Sequence, residues 1–466
     1  MWVSIVLAAF VFTQLVYAAV NLCTAIFVYP RSENPVTEAT VDDAGARTPP
    51  QKAVTADGGS SHGTKRVTDD FDPTRGLSED GWPDVYVLCP IYGETPDVLV
   101  ETVDGIYEQT YPSEAITVYI IYETDDDGAP PVVERLERFR ENGYDVRFVC
   151  VDRDALAADR SGGHLLLSGE HMPRTKAAAL TYAFMTGSFD AEDVITVFDS
   201  DTQVPRDTFR LAVAGLDTYD IVQAKQTVRN IDDGVLPFLE ASGIAAWSDR
   251  IYAKTAGGPY QLLGKAYFTD ARTIEALDEW QLDAATEDMA LGMAAFQRGY
   301  TLGVLDRYVH DLCPSRPRDW IRQKRRWVRG PYSYCVGPGL SPTDRVRFVT
   351  ATICTQLVAV TTVFGLPAGL LVALAVVVGT GVSIPDALWP VLVLNAVGWL
   401  YYGLLSMHTA RDVLAPASLG EWVGFVVSSN PLSQAIYAMT WSVPIALAVA
   451  DSCRAIAPSF VVTPKE

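Results

Sequence analysis

The sequence predicts an α/β fold, a mostly parallel sheet covered by helices, carried between membrane-spanning helices at its two ends. Three observations predict it. Apolar runs of strand length alternate with helix-spaced segments from Trp82 onward, acidic clusters close two of those runs, and long uncharged stretches lie on either side.

The uncharged stretches are Trp2–Tyr29, Phe348–Pro385, Ala387–Ala410 and Trp422–Ala450. Each is long enough to cross ~30 Å of hydrocarbon as a helix. Residues 1–29 are expected as a transmembrane helix rather than a signal peptide, because no positive charge precedes Arg31 and the apolar run is long. Arg31 then lies inside. Residues 31–80 hold ten acidic and six basic residues with much Pro, Gly, Ser and Thr, so 30–80 is expected as a disordered acidic linker. A soluble α/β domain is expected over 81–315, an interfacial amphipathic segment over 316–347, a membrane region over 348–450 and a tail over 451–466.

Within the soluble part, Val85–Pro90 is an apolar run that ends in a loop. Val98, Val100, Val103 and Ile106 give Asp97–Gln109 a helical period. Ile116–Tyr122 is a second strand, Pro131–Asn142 an amphipathic helix, Val146–Val151 a third strand. Lys176–Gly187 is helical and Asp193–Phe198 is a fourth strand. In such a sheet, ligands bind beyond the carboxyl ends of the strands. The loops of 203–262 are where specificity is expected.

The net charge is −21, with 28 arginines against 8 lysines. Such a surface repels nucleic acid, so no nucleic-acid partner is expected. Acid-rich, lysine-poor composition suits solvation in concentrated salt, as in a halophilic archaeon. The seven cysteines form no C-x-x-C pair, which fits a reducing compartment and gives no zinc site. His164, His171 and His310 lack metal-ligand spacing and read as structural or surface residues.

Five short segments carry chemistry-bearing residues. Asp199-Ser200-Asp201 follows a strand, and carboxylates at i and i+2 can face one hard divalent ion that also meets phosphate oxygens. A solvated acidic turn is the plainer reading. Thr286-Glu287-Asp288 opens a helix; it reads either as a cap with acids in the first turn or as a site whose Asp288 is a general base. Gln323-Lys324-Arg325-Arg326-Trp327 lies in a basic cluster that also suits the cytoplasmic edge of a membrane. There Arg326 can neutralise a pyrophosphate and Trp327 offers a flat apolar face to a sugar ring. Arg174 and Lys176 stand at a helix start, where amide groups and positive side chains suit phosphate. Gly257-Gly258 and Gly264-Lys265 allow close backbone approach to a ligand, or merely a turn.

Taken in order, these segments resemble the membrane-bound family 2 glycosyltransferases with a GT-A core, a Rossmann-like nucleotide-sugar-binding domain. That group holds cellulose, chitin and hyaluronan synthases and ceramide glucosyltransferase. The resemblance runs from about Trp82 to Trp327 and extends to the arrangement of helices after it. Pro90-Ile91-Tyr92-Gly93-Glu94 corresponds to the family's first nucleotide loop, with Gly93 in place of the usual Asn. Glu123-Thr124-Asp125-Asp126 stands where most members have Asp-Asp-Gly-Ser, which leaves open which acid meets the base.

The resemblance implies a donor site of Tyr92, Glu94, Glu123, Asp125, Asp126, Arg174, Lys176 and Asp199. It implies Mg2+ or Mn2+ on Asp199 and Asp201, catalysis by Asp288 with Glu287 beside it, and Gln323, Arg326 and Trp327 around the diphosphate and acceptor. Phe460-Val461-Val462-Thr463-Pro464-Lys465 is similar to the gating loop of cellulose synthase, so Thr463 and Lys465 are expected to close over the donor if the tail is cytoplasmic. The implied reaction moves a hexose or N-acetylhexosamine from a nucleotide sugar, with a UDP-sugar the expected donor, and inverts the anomeric carbon. The expected partners are that donor, the lipid bilayer and a growing polysaccharide as acceptor. A membrane-lipid acceptor given a single sugar is the alternative, and a non-catalytic scaffold is the alternative of another class.

Overall fold

The structure, a computed structural model, describes residues 2–28, 33–38, 82–151, 173–282, 284, 286–336, 339–379 and 384–454. The tail residues Thr463 and Lys465, His164 and His171 lie outside the described residues, as does most of the expected linker.

Eight strands form one mixed sheet: β1 (Pro35–Val36), β2 (Val85–Pro90), β3 (Ile116–Glu123), β4 (Asp145–Val151), β5 (Val194–Val197), β6 (Ile221–Val228), β7 (Tyr267–Asp270) and β8 (Leu302–Asp311). Their order is β1-β8-β6-β7-β5-β2-β3-β4. All pairings are parallel except those of β7, which runs antiparallel to β5 and β6.

The helices that cover the sheet are α2 (Pro96–Tyr107), α3 (Ala129–Glu141), α4 (Lys176–Thr186), α5 (Thr208–Gly215), α6 (Val235–Trp247) and α7 (Glu287–Gln297), preceded in the chain by α1 (Trp2–Phe27). Strand β2 explains why its run is apolar throughout. Val85, Val87 and Cys89 pack with Leu99, Val103 and Ile106 of α2 and Leu136 of α3. Tyr86 and Leu88 point the other way, onto Leu180 and Ala183 of α4. A parallel strand buried on both faces needs no polar side, and each fully buried aliphatic chain contributes roughly 1.5–3 kcal/mol.

The four expected strands and three expected helices of the N-terminal half appear within a few residues of their predicted bounds. Two expectations are corrected. Residues 203–262 are not mainly loop; they hold α5, β6 and α6. Pro35–Val36, placed in the linker by composition, adds a short edge strand beside Val304 and Leu305 of β8.

The chain continues through α8 (Pro317–Arg329), α9 (Thr355–Val378), α10 (Trp389–Leu414), α11 (Leu419–Ser429), α12 (Pro431–Thr440) and α13 (Ser442–Cys453). Among the described residues, four helical segments are long and apolar enough to cross a membrane: Ser4–Phe27, Pro342–Val378, Asp386–Leu414 and Pro431–Cys453. The first three are joined by close packing and by polar groups that find one another. A Cβ on Gly365 would meet Thr13 Cγ2 at 2.1 Å, so α1 and α9 touch where only glycine fits. The Tyr17 and Thr362 hydroxyls share a 2.7 Å hydrogen bond. Asn395 of α10 donates to the Gln14 carbonyl at 2.8 Å.

The fourth segment packs on these helices, with Ile445 and Ala448 against Ala359, and also on the α/β domain. Near its start, Gln434 donates to the Leu239 carbonyl of α6 at 3.2 Å. Trp441 meets Trp320 of α8 with ring centroids 5.5 Å apart. Near its end, Asp451 pairs with Arg325 of α8 at 2.5 Å. Its start therefore touches the α/β domain and its end touches α8.

Candidate active site

Beyond the carboxyl ends of β2, β3, β5, β6 and β8 lies a cavity of ≈ 490 Å³. Tyr92, Glu94, Glu123, Arg174, Lys176, Asp199, Asp201, Glu287, Asp288, Gln323, Arg326 and Trp327 all line it. These residues come from stretches far apart in sequence. Strand ends, helix starts and the α8 helix bring them to one space.

An alternating array of charge forms the floor. Lys176, the first residue of α4, sits where the Thr175 hydroxyl caps the helix by accepting the Ala178 N–H. Its ammonium donates to Asp199 Oδ1 at 2.5 Å and to the Gly264 carbonyl at 2.9 Å. Lys265 holds the other Asp199 oxygen at 3.2 Å and Asp311 Oδ2 at 3.0 Å. Asp201 is 1% exposed and accepts the Leu312 N–H at 2.8 Å. Burial works against the charge of Lys265, but Asp311, Asp199 and Asp201 more than offset it and hold the ammonium above its ordinary range. Asp311 is pushed up to about 6, by burial and by Asp201 and Asp199, with Lys265 pulling the other way.

Asp288 stands on the first turn of α7. The Thr286 side chain makes no capping hydrogen bond there, so simple capping does not account for the segment. Burial first, then the Glu287 charge, raise the Asp288 carboxyl to about 7; the Met289 amide, Lys176 and Arg326 pull it down. Gly264 faces it with φ +79°, and a Cβ there would come within 3.0 Å of Asp288 Oδ2. Only glycine both adopts that backbone easily and leaves that space. Glu287 lies 3.9 Å from Lys176.

Above the floor, two loops meet. Asp126 accepts the Gly93 N–H at 3.0 Å and the Gly128 N–H at 2.9 Å, so it ties the loop after β2 to the loop after β3 and does not line the cavity. Gly93 has φ +69°, a left-handed backbone that glycine adopts freely and that Asn also tolerates. Asp125 is also outside the lining but ion-pairs with Arg174, which lines it. His310 is in β8, and burial, then Arg229, holds its imidazole below the ordinary value.

On the side nearest α8, Trp327 lies over Lys324, the ammonium 3.6 Å from the ring centroid. Lys324 pairs with Glu240 of α6 at 2.5 Å. Glu240, Asp311, Gln226 and Cys313 line the cavity and were not singled out from sequence. No local pattern marks them. A lone Glu within the otherwise uncharged run of residues 235–247 is the one local clue to Glu240.

Comparison with known proteins adds the following. The family model described as glycosyl transferase family group 2 matches residues 194–407. The beta-monoglucosyldiacylglycerol synthase of Synechocystis sp. is 22% identical over 257 residues, 54% of this chain and 48% of that protein. The chain thus matches about half the length of that curated relative. Among solved structures, the mannosyltransferase PcManGT of Pyrobaculum calidifontis, in complex with GDP-Man and Mn2+, is 18% identical with a TM-score of 0.45, covering 79% of this chain and 90% of that one. Residues 1–349 of S. aureus TarS, in complex with UDP-GlcNAc, are 14% identical with a TM-score of 0.35, covering 80% and 92%. The match to glycosyl transferase family group 2 thus runs from β5 through the cavity residues into α10, a little under half of the chain.

Proposed function

We propose that the cavity transfers a sugar from a nucleoside diphosphate sugar to an acceptor hydroxyl at the membrane surface. The observation that carries this reading is Asp288, a carboxyl raised to about 7 by burial and Glu287 and lining the same cavity as Lys176, Lys265 and Arg326. A base near neutrality beside three cations suits a reaction in which one oxygen loses a proton and another leaves as diphosphate.

In the proposed step, the acceptor O–H gives its proton to Asp288. The acceptor oxygen bonds to the anomeric carbon from the face opposite the leaving group. The bond from that carbon to the phosphate oxygen breaks, and the nucleoside diphosphate carries away the electron pair. Lys176 and Arg326 neutralise the diphosphate. Tyr92, Glu94 and Glu123 bound the nucleoside, with Asp125 and Asp126 holding the surrounding loops. Trp327 and Gln323 meet the acceptor and diphosphate. A UDP-sugar is the donor proposed, with a hexose or N-acetylhexosamine to transfer.

The oxygen donors fit a hard divalent ion. Asp199 and Asp201 would hold Mg2+ or Mn2+, which would add positive charge beside the diphosphate. No group of three His, Cys, Asp or Glu residues is arranged for a metal among the described residues. Two carboxylates completed by phosphate oxygens and water is the usual arrangement for Mg2+.

A membrane-lipid acceptor is the reading the relative favours, since it is named as a glucosyldiacylglycerol synthase. The growing polysaccharide is the second outcome. The α/β domain is proposed to be cytoplasmic, where nucleotide sugars are made. The contacts of Gln434 and Asp451 with α6 and α8 support a last helix that lies along this domain, so that the chain leaves Cys453 on the catalytic side. Nucleotide release is to be measured for the purified protein in high salt with Mg2+ or Mn2+ across UDP- and GDP-sugars, with product size read on the same samples. Release with a single-sugar lipid is expected; a long product selects the polymer, and no release with any donor rejects the reading.

A further inference from the structure

Glu240 and Lys324 are as completely removed from water as any pair in the domain core, with side-chain exposures of 2% and 1%. Such a pair is weak evidence of stability, because desolvating both charges costs about as much as their attraction returns. Its place invites another explanation. An ammonium has three donor directions. Lys324 spends one on Glu240 Oε1 and one on Gln323 Oε1 at 3.0 Å, and its nitrogen also lies 3.6 Å from the centroid of the Trp327 ring. The rings of Trp320 and Trp441 flank it at 5.9 and 5.7 Å. Glu240 Oε2 in turn accepts the Trp320 indole N–H and, at 3.3 Å, the Cys313 thiol.

Lys324 therefore lines the cavity with its donors already engaged. Two of the three groups it engages, Gln323 and Trp327, are its own helix neighbours and line the same cavity. The third, Glu240, comes from a different helix and anchors the cation against the domain.

We propose that the Glu240–Lys324 pair is a positioning device that fixes the Gln323 amide and the Trp327 ring for acceptor engagement, without itself touching substrate. This rests on the reading of the cavity as a sugar-transfer site. The attraction of an ammonium to an indole face is strengthened where water is excluded, as it is here. The ring is held by its face, and rotation of its side chain would strip the cation of that contact. Trp320, Tyr437 and Trp441 extend the same packing from α8 to the last membrane-region helices, so the device is supported from both sides.

The test uses the full chain in detergent with E240L/K324M, K324M and K324R. The double variant replaces the charges by apolar groups of similar size, an exchange that usually preserves folding. It is expected to melt near wild type, and its Kd for the nucleoside diphosphate, whose charge Lys176 and Arg326 neutralise, should change far less than its kcat. Its kcat should fall on the order of 100-fold, the scale of a misplaced reacting geometry. K324R should recover part of that loss, since a guanidinium also stacks on indole. A folded double variant with wild-type kcat overturns the proposal, as does an equal loss of nucleotide affinity. If wild type itself transfers no sugar from any donor, the transfer reading fails, and the device is judged by fluorescence. The emission of Trp327, taken as the difference from a matching W327F protein, should shift on K324M; an unchanged difference spectrum rejects the device.

Discussion

The cavity has two charged walls, built on opposite plans. On one, Asp199 lies between Lys176 and Lys265, with Asp201 and Asp311 behind, and part of the array is open to solvent. On the other, Glu240 and Lys324 are sealed among indole rings. The first wall has an excess of exchangeable contacts, so a ligand's charge can enter by rearranging them. The second has one acid for one base and aromatic faces for the rest, so it holds shape. A site that must both admit a dianionic group and aim a ring benefits from separating these tasks.

Among single changes to the first wall, loss of Lys265 should have the largest effect on stability. K265M takes away the cation that pairs with buried Asp311 and that Asp199 shares with Lys176, leaving the acids short of positive charge, a loss of about 3–5 kcal/mol. Thermal melting with and without Mn2+ checks it: added Mn2+ should raise Tm more in K265M than in wild type if these acids can share a metal. An unchanged Tm would mean that the array tolerates its own repulsion and that the contrast between the walls is wrong.

A smaller effect is expected from pH. Asp288 accepts a proton only when ionised, and its carboxyl is raised to about 7 by burial and by Glu287. Transfer should therefore fall as pH drops through that value, roughly tenfold per unit well below it. Rate against pH from 5 to 9 reads this directly, with nucleotide affinity measured at each point to separate binding from transfer.

G264A comes next. The added methyl would stand 3.0 Å from Asp288 Oδ2 on a backbone with φ +79°. A loss of about 1–2 kcal/mol is the usual cost of a non-glycine residue in that region. The Asp288 carboxylate should also shift, moving the acid limb of the pH profile. The least effect is expected from R174A, whose ion pair with Asp125 joins groups 66% and 40% exposed. Stability should change by less than about 1 kcal/mol, with any change confined to donor affinity.

The two halves of the sheet also differ in how far sequence reveals them. Strands β2, β3 and β5 are apolar because helices cover both faces, and their acids or loops follow at the ends where ligands bind. Strand β6 is equally buried yet reads Ile-Val-Gln-Ala-Lys-Gln-Thr-Val. Its polar groups are matched by distant partners: Gln223 by the Lys265 carbonyl and the Leu263 amide, Lys225 by Asp249 and Asp306. No local window contains those partners, so composition made the strand look like surface loop. The same applies within the site. Asp199, Asp288 and Trp327 stand in recognisable short motifs. Glu240 and Asp311 gain meaning only when a Lys from another segment is folded against them.

The sharpest single test is nucleotide-sugar binding and sugar transfer measured side by side on wild type and D288N. The replacement keeps the shape of the side chain and removes its capacity to take a proton. The account predicts donor binding close to wild type with transfer reduced ~10²–10⁴-fold, the range for a lost general base. Wild-type transfer by D288N would contradict the assignment of the base, and with it the central reading of the cavity.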